Sequence, residues 1–157
     1  MAKYEIIDGV AILPEGIEMI EDEAFKNCKE LKRVVIPQWV RRIGKDAFYG
    51  CEYLEVVELP EWLEVIGKGA FEYCSSLESI IIPKNVTEIG YGVFYGCSAL
   101  SEVTFNASEC RIYYNAFYEC PVKTLNVGAN VINFPNLPTI ENVNLDEGVS
   151  VIPNSAF

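Results

Sequence analysis

The chain has 157 residues, 50% of them hydrophobic and 12% aromatic, which is enough for one domain with a real core and too apolar for disorder. Its 23 acidic and 12 basic residues leave a net charge of −11, which argues against a surface built for nucleic acid or anionic membrane. No histidine is present, which removes the Ser-His-Asp and Cys-His nucleophile systems and the commonest zinc ligand, and no apolar run reaches the ~18 residues of a membrane helix.

The start, Met1-Ala2-Lys3-Tyr4-Glu5-Ile6-Ile7, lacks the apolar stretch of a signal peptide. A complete protein with this start is expected in the cytosol, whereas a piece of a longer chain carries no such expectation. Residues 4–12 read as two strands around an Asp8-Gly9 turn, so residues 1–13 are expected to form a hairpin cap.

Beyond the hairpin the chain repeats every 23 residues, in several columns at once. Cys28, Cys51, Cys74, Cys97 and Cys120 share that spacing, as do Phe25, Phe48, Phe71, Phe94 and Phe117. Ile20, Ile43, Ile66, Ile89 and Ile112 form a third column, and Pro14, Pro37, Pro60 and Pro83 a fourth. One full unit runs through Ile36, Pro37, Val40, Ile43, Gly44, Ala47, Phe48, Cys51, Leu54 and Val57.

Within a unit, Leu31, Val34 and Ile36 follow an L-x-x-L-x-L spacing, and Val34-Val35-Ile36 alternates as a strand with Val34 and Ile36 inward. The trio recurs as Leu54/Val57/Leu59, Leu77/Ile80/Ile82 and Leu100/Val103/Phe105. Proline ends each strand. A second extended piece, Val40 to Ile43, leads to Gly44, and the glycines at 44, 67 and 90 suggest a turn with positive φ. Asp46 to Cys51 reads as about one helical turn with Ala47, Phe48 and Cys51 inward. No single unit buries its own apolar edge, so units stack at about 4.8 Å, and six of them make a solenoid of roughly 30 Å.

The fifth unit is one residue short, with Asn106 in place of proline and Tyr113 in place of glycine. The sixth, Gly128 to Leu145, omits the Ala-Phe-x-x-Cys turn and bridges through Phe134-Pro135-Asn136-Leu137-Pro138. The pattern resumes with Ile152 and the pair Ala156-Phe157, so the C-terminal end is expected to leave an open core edge.

The unit resembles the BspA-type leucine-rich repeat family over nearly the whole chain. That resemblance implies an α/β leucine-rich repeat solenoid, β-rich and right-handed, with a parallel strand and a short helical turn per repeat. One domain over residues 1–157, of about six repeats with the last incomplete, is the corresponding organisation. The resemblance also implies a bacterial cell-surface or secreted protein engaged in adhesion to host matrix or to other cells.

No reading of the residues yields catalysis, a cofactor or a metal. The cysteines lack the short C-x-x-C spacing of zinc sites. Stacked units bring the cysteine column to about 5 Å, but parallel neighbours point the same way, so buried reduced thiols are expected. Cys110 falls outside the column and reads as an exposed thiol. Gly67-x-Gly69 and Gly90-x-Gly92 lack the rest of a nucleotide fingerprint and read as structural. The sequons at Asn85 and Asn106 fall at positions that vary between repeats. Lys29, Lys32, Arg33, Arg41, Arg42 and Lys45 are interspersed with Glu30 and Asp46, as in a solvated mixed surface.

The candidate partner-binding surface is the exposed side of the strands, where residues differ from unit to unit. Its columns are Lys32, Glu55, Glu78, Ser101, Lys123, Glu141; then Arg33, Val56, Ser79, Glu102, Thr124, Asn142; then Val35, Glu58, Ile81, Thr104, Asn126, Asn144. Trp39 and Trp62, one repeat apart, are expected to stack at one edge, as a protein hot spot, a sugar platform or a lid on the core. Tyr49, Tyr95 and Tyr118, with Tyr53, Tyr91 and Tyr114, would make a tyrosine-rich outer face. The resulting function is noncatalytic macromolecule binding, with protein as partner and neither nucleic acid nor membrane insertion. Two alternatives stand beside it: self-assembly through the open end at Val151 and Ile152, and glycan binding through the tryptophans.

Overall fold

The computed structural model describes residues 4–129, 131, 135, 137–147 and 149. The sequence readings that rest on Met1 to Lys3, Phe134, Asn136, Val151, Ile152, Ala156 and Phe157 lie outside the described residues. The chain opens with an antiparallel hairpin of β1 (Glu5–Ile7) and β2 (Val10–Ile12), in which Ile6 faces Ala11. Asp8 and Gly9 both take positive φ, 51° and 82°, as a two-residue turn matched to strand twist requires.

Each repeat then lays down two short strands. The longer set is β4 (Arg33–Val35), β6 (Val56–Glu58), β8 (Ser79–Ile82), β10 (Glu102–Phe105), β12 (Thr124–Val127) and β13 (Asn142–Leu145). The shorter set is β3 (Met19–Ile20), β5 (Arg42–Ile43), β7 (Val65–Ile66), β9 (Glu88–Ile89) and β11 (Arg111–Ile112). Pairing within each set is parallel, and Arg33 meets Val56 just as Ile43 meets Ile66, 23 residues on. The short fifth unit appears as a 22-residue step from Glu102 to Thr124, and the missing turn of the sixth as an 18-residue step from Thr124 to Asn142.

The shorter strands form one five-stranded sheet. The longer ones form two four-stranded sheets, β1-β2-β4-β6 and β8-β10-β12-β13. At the division Val57 and Leu59 are only half-buried, whereas Val34, Ile36, Ile80 and Ile82 at the equivalent positions are buried.

The segment read as a helical turn contains no α-helix; it is a run of turns that stack on the next repeat. Alternate N–H groups serve the two purposes. Ala24, Lys26 and Cys28 donate to carbonyls three residues back, while Glu23, Phe25 and Asn27 donate to Lys45, Ala47 and Tyr49 of the next repeat at 2.6–2.9 Å. The same alternation continues from Asp46, Phe48 and Gly50 to Lys68, Ala70 and Glu72, and onward up the molecule.

Positive φ therefore recurs in two columns: Glu23, Asp46, Gly69, Gly92, Asn115, and Asn27, Gly50, Tyr73, Gly96, Glu119. The expectation placed it at Gly44, Gly67 and Gly90, and none of these has positive φ. They are glycine because the repeats press together there. A Cβ on Gly44 would stand 2.6 Å from the Asp22 backbone nitrogen, and one on Gly67 would stand 2.8 Å from the Gly44 carbonyl carbon.

Inside, the phenylalanine column is a continuous stack with successive ring centroids 5.1, 5.0, 5.5 and 4.9 Å apart, closed at its N-terminal end by Tyr4 at 5.5 Å from Phe25. All six cysteines are free thiols. Instead of pairing, Cys51, Cys74, Cys97 and Cys120 each donate to the backbone carbonyl of the phenylalanine 26 residues earlier, at 2.9–3.3 Å. Burial pushes the Cys51 thiol up to about 12, so it stays protonated.

Cys110 corrects the sequence expectation: it is 2% exposed, and burial raises it to about 12. Glu109 holds the column of buried Val40, Leu63 and Val86 and turns to solvent, leaving Ala107 and Cys110 to fill the interior.

Candidate functional site

Strand alternation decides which side chains reach solvent. Val34, Ile80, Val103 and Leu125 point into the core, and Arg33, Val35, Val56, Glu58, Ser79, Ile81, Glu102 and Thr104 point out. Pairing puts them in two rows. Arg33 lies beside Val56 and Ser79 beside Glu102; Val35 lies beside Glu58 and Ile81 beside Thr104. Lys32, Glu55 and Glu78 lie just ahead of the strands, also exposed.

The two ends of this face differ in chemistry. Towards the C-terminus the amides satisfy one another. Asn126 donates to Glu102 Oε1 at 2.7 Å and to Thr104 Oγ1 at 3.2 Å, and Asn144 donates to Asn126 Oδ1 at 2.8 Å. A partner landing there would have to replace bonds already made, for little net gain.

Towards the N-terminus apolar groups are exposed among the polar ones: Val35 is 46% exposed, Val56 39% and Ile81 59%. Ile7 and Ile12 extend this set from the hairpin, because β2 pairs with β4 and presents the same face. The sequence reading missed both. The signal was available in the pairing of two outward isoleucines across an Asp-Gly turn. Of the charges crossing this half, Arg33 and Glu58 bind each other in an exposed ion pair worth about 0–1 kcal/mol.

Trp39 and Trp62 are both exposed, but the ring contacts of the described residues do not join them. Trp62 instead carries the Arg41 guanidinium 5.7 Å from its ring centroid, and Arg41 also pairs with Glu64 at 2.9 Å. A shallow cleft of about 630 Å³ beside Trp62 includes Gln38, Lys84, Asn85 and Asn106; Trp39 does not line it. The tyrosines make their own ladder on the turn side. Tyr49 meets Tyr73 edge-on at 5.7 Å, Tyr73 meets Tyr95 at 5.5 Å, and Tyr95 stacks on Tyr118 at 5.7 Å.

Among the described residues no group of three or more acidic or cysteine side chains is arranged to hold a metal. No helix of the described residues is long and apolar enough to cross a membrane.

Residues 18–137 match the BspA type leucine-rich repeat region in six copies. The chain belongs to this family. Proteins built of BspA-type repeats are generally protein-binding or surface-associated and noncatalytic. Among solved structures, a T. pallidum leucine-rich repeat protein is 29% identical with a TM-score of 0.70, covering 87% of this chain and 72% of that one. A leucine-rich cell surface protein from Faecalibacterium prausnitzii is 27% identical with a TM-score of 0.68 over 91% of this chain, which spans only 33% of that protein. The pneumococcal vaccine antigen PcpA, at 22% identity and a TM-score of 0.70 over 87% of this chain and 36% of its own, shares the fold alone. No curated protein matches the chain.

Proposed function

We propose that the chain is a noncatalytic protein-binding module whose contact surface is the N-terminal half of the exposed strand face. The observation that carries this reading is the run of exposed Val35, Val56 and Ile81 with Ile7 and Ile12 alongside. These side chains stand about half exposed, while the amides farther along the same face bond to one another. Apolar residues held on a rigid sheet lose little entropy when a partner covers them. Covering the exposed half of each would contribute roughly 1 kcal/mol, so several of them together make a working interface.

The partner we infer is a matrix or cell-surface protein. The Faecalibacterium relative, described as a cell surface protein, supports that direction. Binding to immobilised fibronectin and fibrinogen tests it, beside a variant carrying Val35→Glu, Val56→Glu and Ile81→Glu. Saturable binding that the variant loses at least tenfold, at unchanged melting temperature, is the expected outcome. Equal binding by both chains would remove this face from the site, and no binding by the folded wild type would remove the matrix reading.

A further inference from the structure

The tryptophan column stops after Trp62. Positions 23 residues apart along that edge carry Gly16, Trp39, Trp62, Asn85 and Ser108, so the repeats beyond Trp62 present small polar side chains where an indole would otherwise stand. The result is a step, and the cleft of about 630 Å³ lies on it. Lys84 and Asn85 come from the repeat after Trp62, and Asn106 from the one beyond. Clefts that hold small ligands span about 300–1,000 Å³, and this one falls inside that range.

The step is prepared from both sides. From the repeat before, the Arg41 guanidinium lies over the Trp62 ring at 5.7 Å and is itself tied to Glu64 at 2.9 Å, which holds the indole in place. Trp62 is still 55% exposed, so apolar ring surface stays open beside the cleft. From the repeat after, Asn85 donates its Nδ2 to the Glu61 carbonyl at 2.7 Å. That bond orients the amide and leaves its Oδ1 to accept. Gln38 and Asn106 add two more amides, and among the described residues that line the cleft the formal charges are Glu61 and Lys84, one of each sign.

A held indole ringed by amides, with charges that cancel, suits a ligand with a flat apolar face and a rim of hydroxyl groups. We propose that the Trp62 cleft binds a neutral oligosaccharide of glucose-like pyranoses. With its substituents equatorial, such a ring offers a face of axial C–H bonds to the indole and leaves its hydroxyls to the amides. Each amide carries both a donor and an acceptor, as each hydroxyl does, so either partner can turn to suit the other. An anionic ligand would meet Glu61, and an apolar peptide would cover the amides without pairing them, at a cost. Trp39 is outside the site, and so are Val35, Val56 and Ile81 of the strand face. The strand-face variant carrying three glutamates should therefore bind sugar as the wild type does, whatever becomes of matrix-protein binding.

The test is titration of the isotope-labelled chain with cellotriose and, separately, with triacetylchitotriose, read by NMR. The Trp62 indole N–H and the Asn85 side-chain amide should shift saturably, with one dissociation constant, for at least one of the two sugars. Preference for the chitotriose would show that an acetamido group is read, and preference for cellotriose that hydroxyls suffice. Trp62→Ala should weaken binding about tenfold or more at unchanged melting temperature, whereas Trp39→Ala should leave it unchanged. Asn85→Trp, which carries the tryptophan column on into the cleft, should abolish binding as well. No shift with either sugar at the highest soluble concentration would overturn the proposal. So would binding that survives both Trp62→Ala and Asn85→Trp, or binding that Trp39→Ala weakens as much as Trp62→Ala does.

Discussion

The glycines show how one residue type serves two unrelated needs. Gly16 takes a φ of 78° with open space around its missing Cβ, so Gly16→Ala meets only left-handed backbone strain, about 1–2 kcal/mol. Gly67 has ordinary backbone, but a Cβ there would sit 2.8–2.9 Å from the backbone of Gly44, Ile43 and Lys45. Backbone packed on backbone has no rotamer with which to yield. Gly67→Ala is therefore expected to cost about 3 kcal/mol, at the upper end of overpacking, and to lower the urea midpoint more than Gly16→Ala does. The reverse ranking would mean that neighbouring repeats slide apart easily. Sequence alone could not separate these roles. The positive-φ columns mix glycine with Glu23, Asn27, Asp46, Tyr73, Asn115 and Glu119, so they carry no glycine signature, whereas the column that is visibly glycine owes it to crowding.

At the scale of elements, the strands were legible and the turns were not. The strands declare themselves twice, by alternation and by the 23-residue period, so Val34/Ile36 and Ile80/Ile82 lie inward as read. The Ala-Phe-x-x-Cys segment repeats just as faithfully, but repetition says nothing of the direction in which its N–H groups point. The phenylalanine stack that these turns carry gives a test. Phe71 has a ring on each side, at 5.0 and 5.5 Å, while Phe117 stacks on Phe94 alone. Phe71→Ala should cost about 4 kcal/mol and Phe117→Ala about 1 kcal/mol less, one aromatic pair fewer. Thermal unfolding of the two variants checks this, and equal losses would mean that ring stacking adds nothing beyond burial. The candidate site was half legible. Its columns follow from strand parity, yet the mutual bonding of Glu102, Thr104, Asn126 and Asn144 depends on side-chain reach across strands that sequence does not report.

For the molecule as a whole, stacking makes each repeat depend on its neighbours, and the thiols report this directly. Cys28, in the first repeat, is only partly buried, while the other five cysteines are buried. A thiol reagent at neutral pH should modify Cys28 in the native protein within minutes. Cys51, Cys74, Cys97, Cys110 and Cys120 should react only at the rate of unfolding, together. Separate rates for Cys51 and Cys120 would show the two ends opening independently, as the division between β6 and β8 would permit.

The one-way hydrogen bonding of the turns has an electrical consequence. These turn-to-turn bonds, from Glu23 on Lys45 to Gly96 on Tyr118, run from an earlier turn to a later one, so their peptide dipoles align along the solenoid axis. Peptide dipoles of about 3.5 D set head to tail add up, as they do in a helix. The positive pole falls on the last turn, at Phe117 and Glu119. In a protein whose net charge is −11, that partial positive end is offset on the adjoining strands, where Gly44, Gly67 and Gly90 donate back to Ile20, Ile43 and Ile66 of the repeat before.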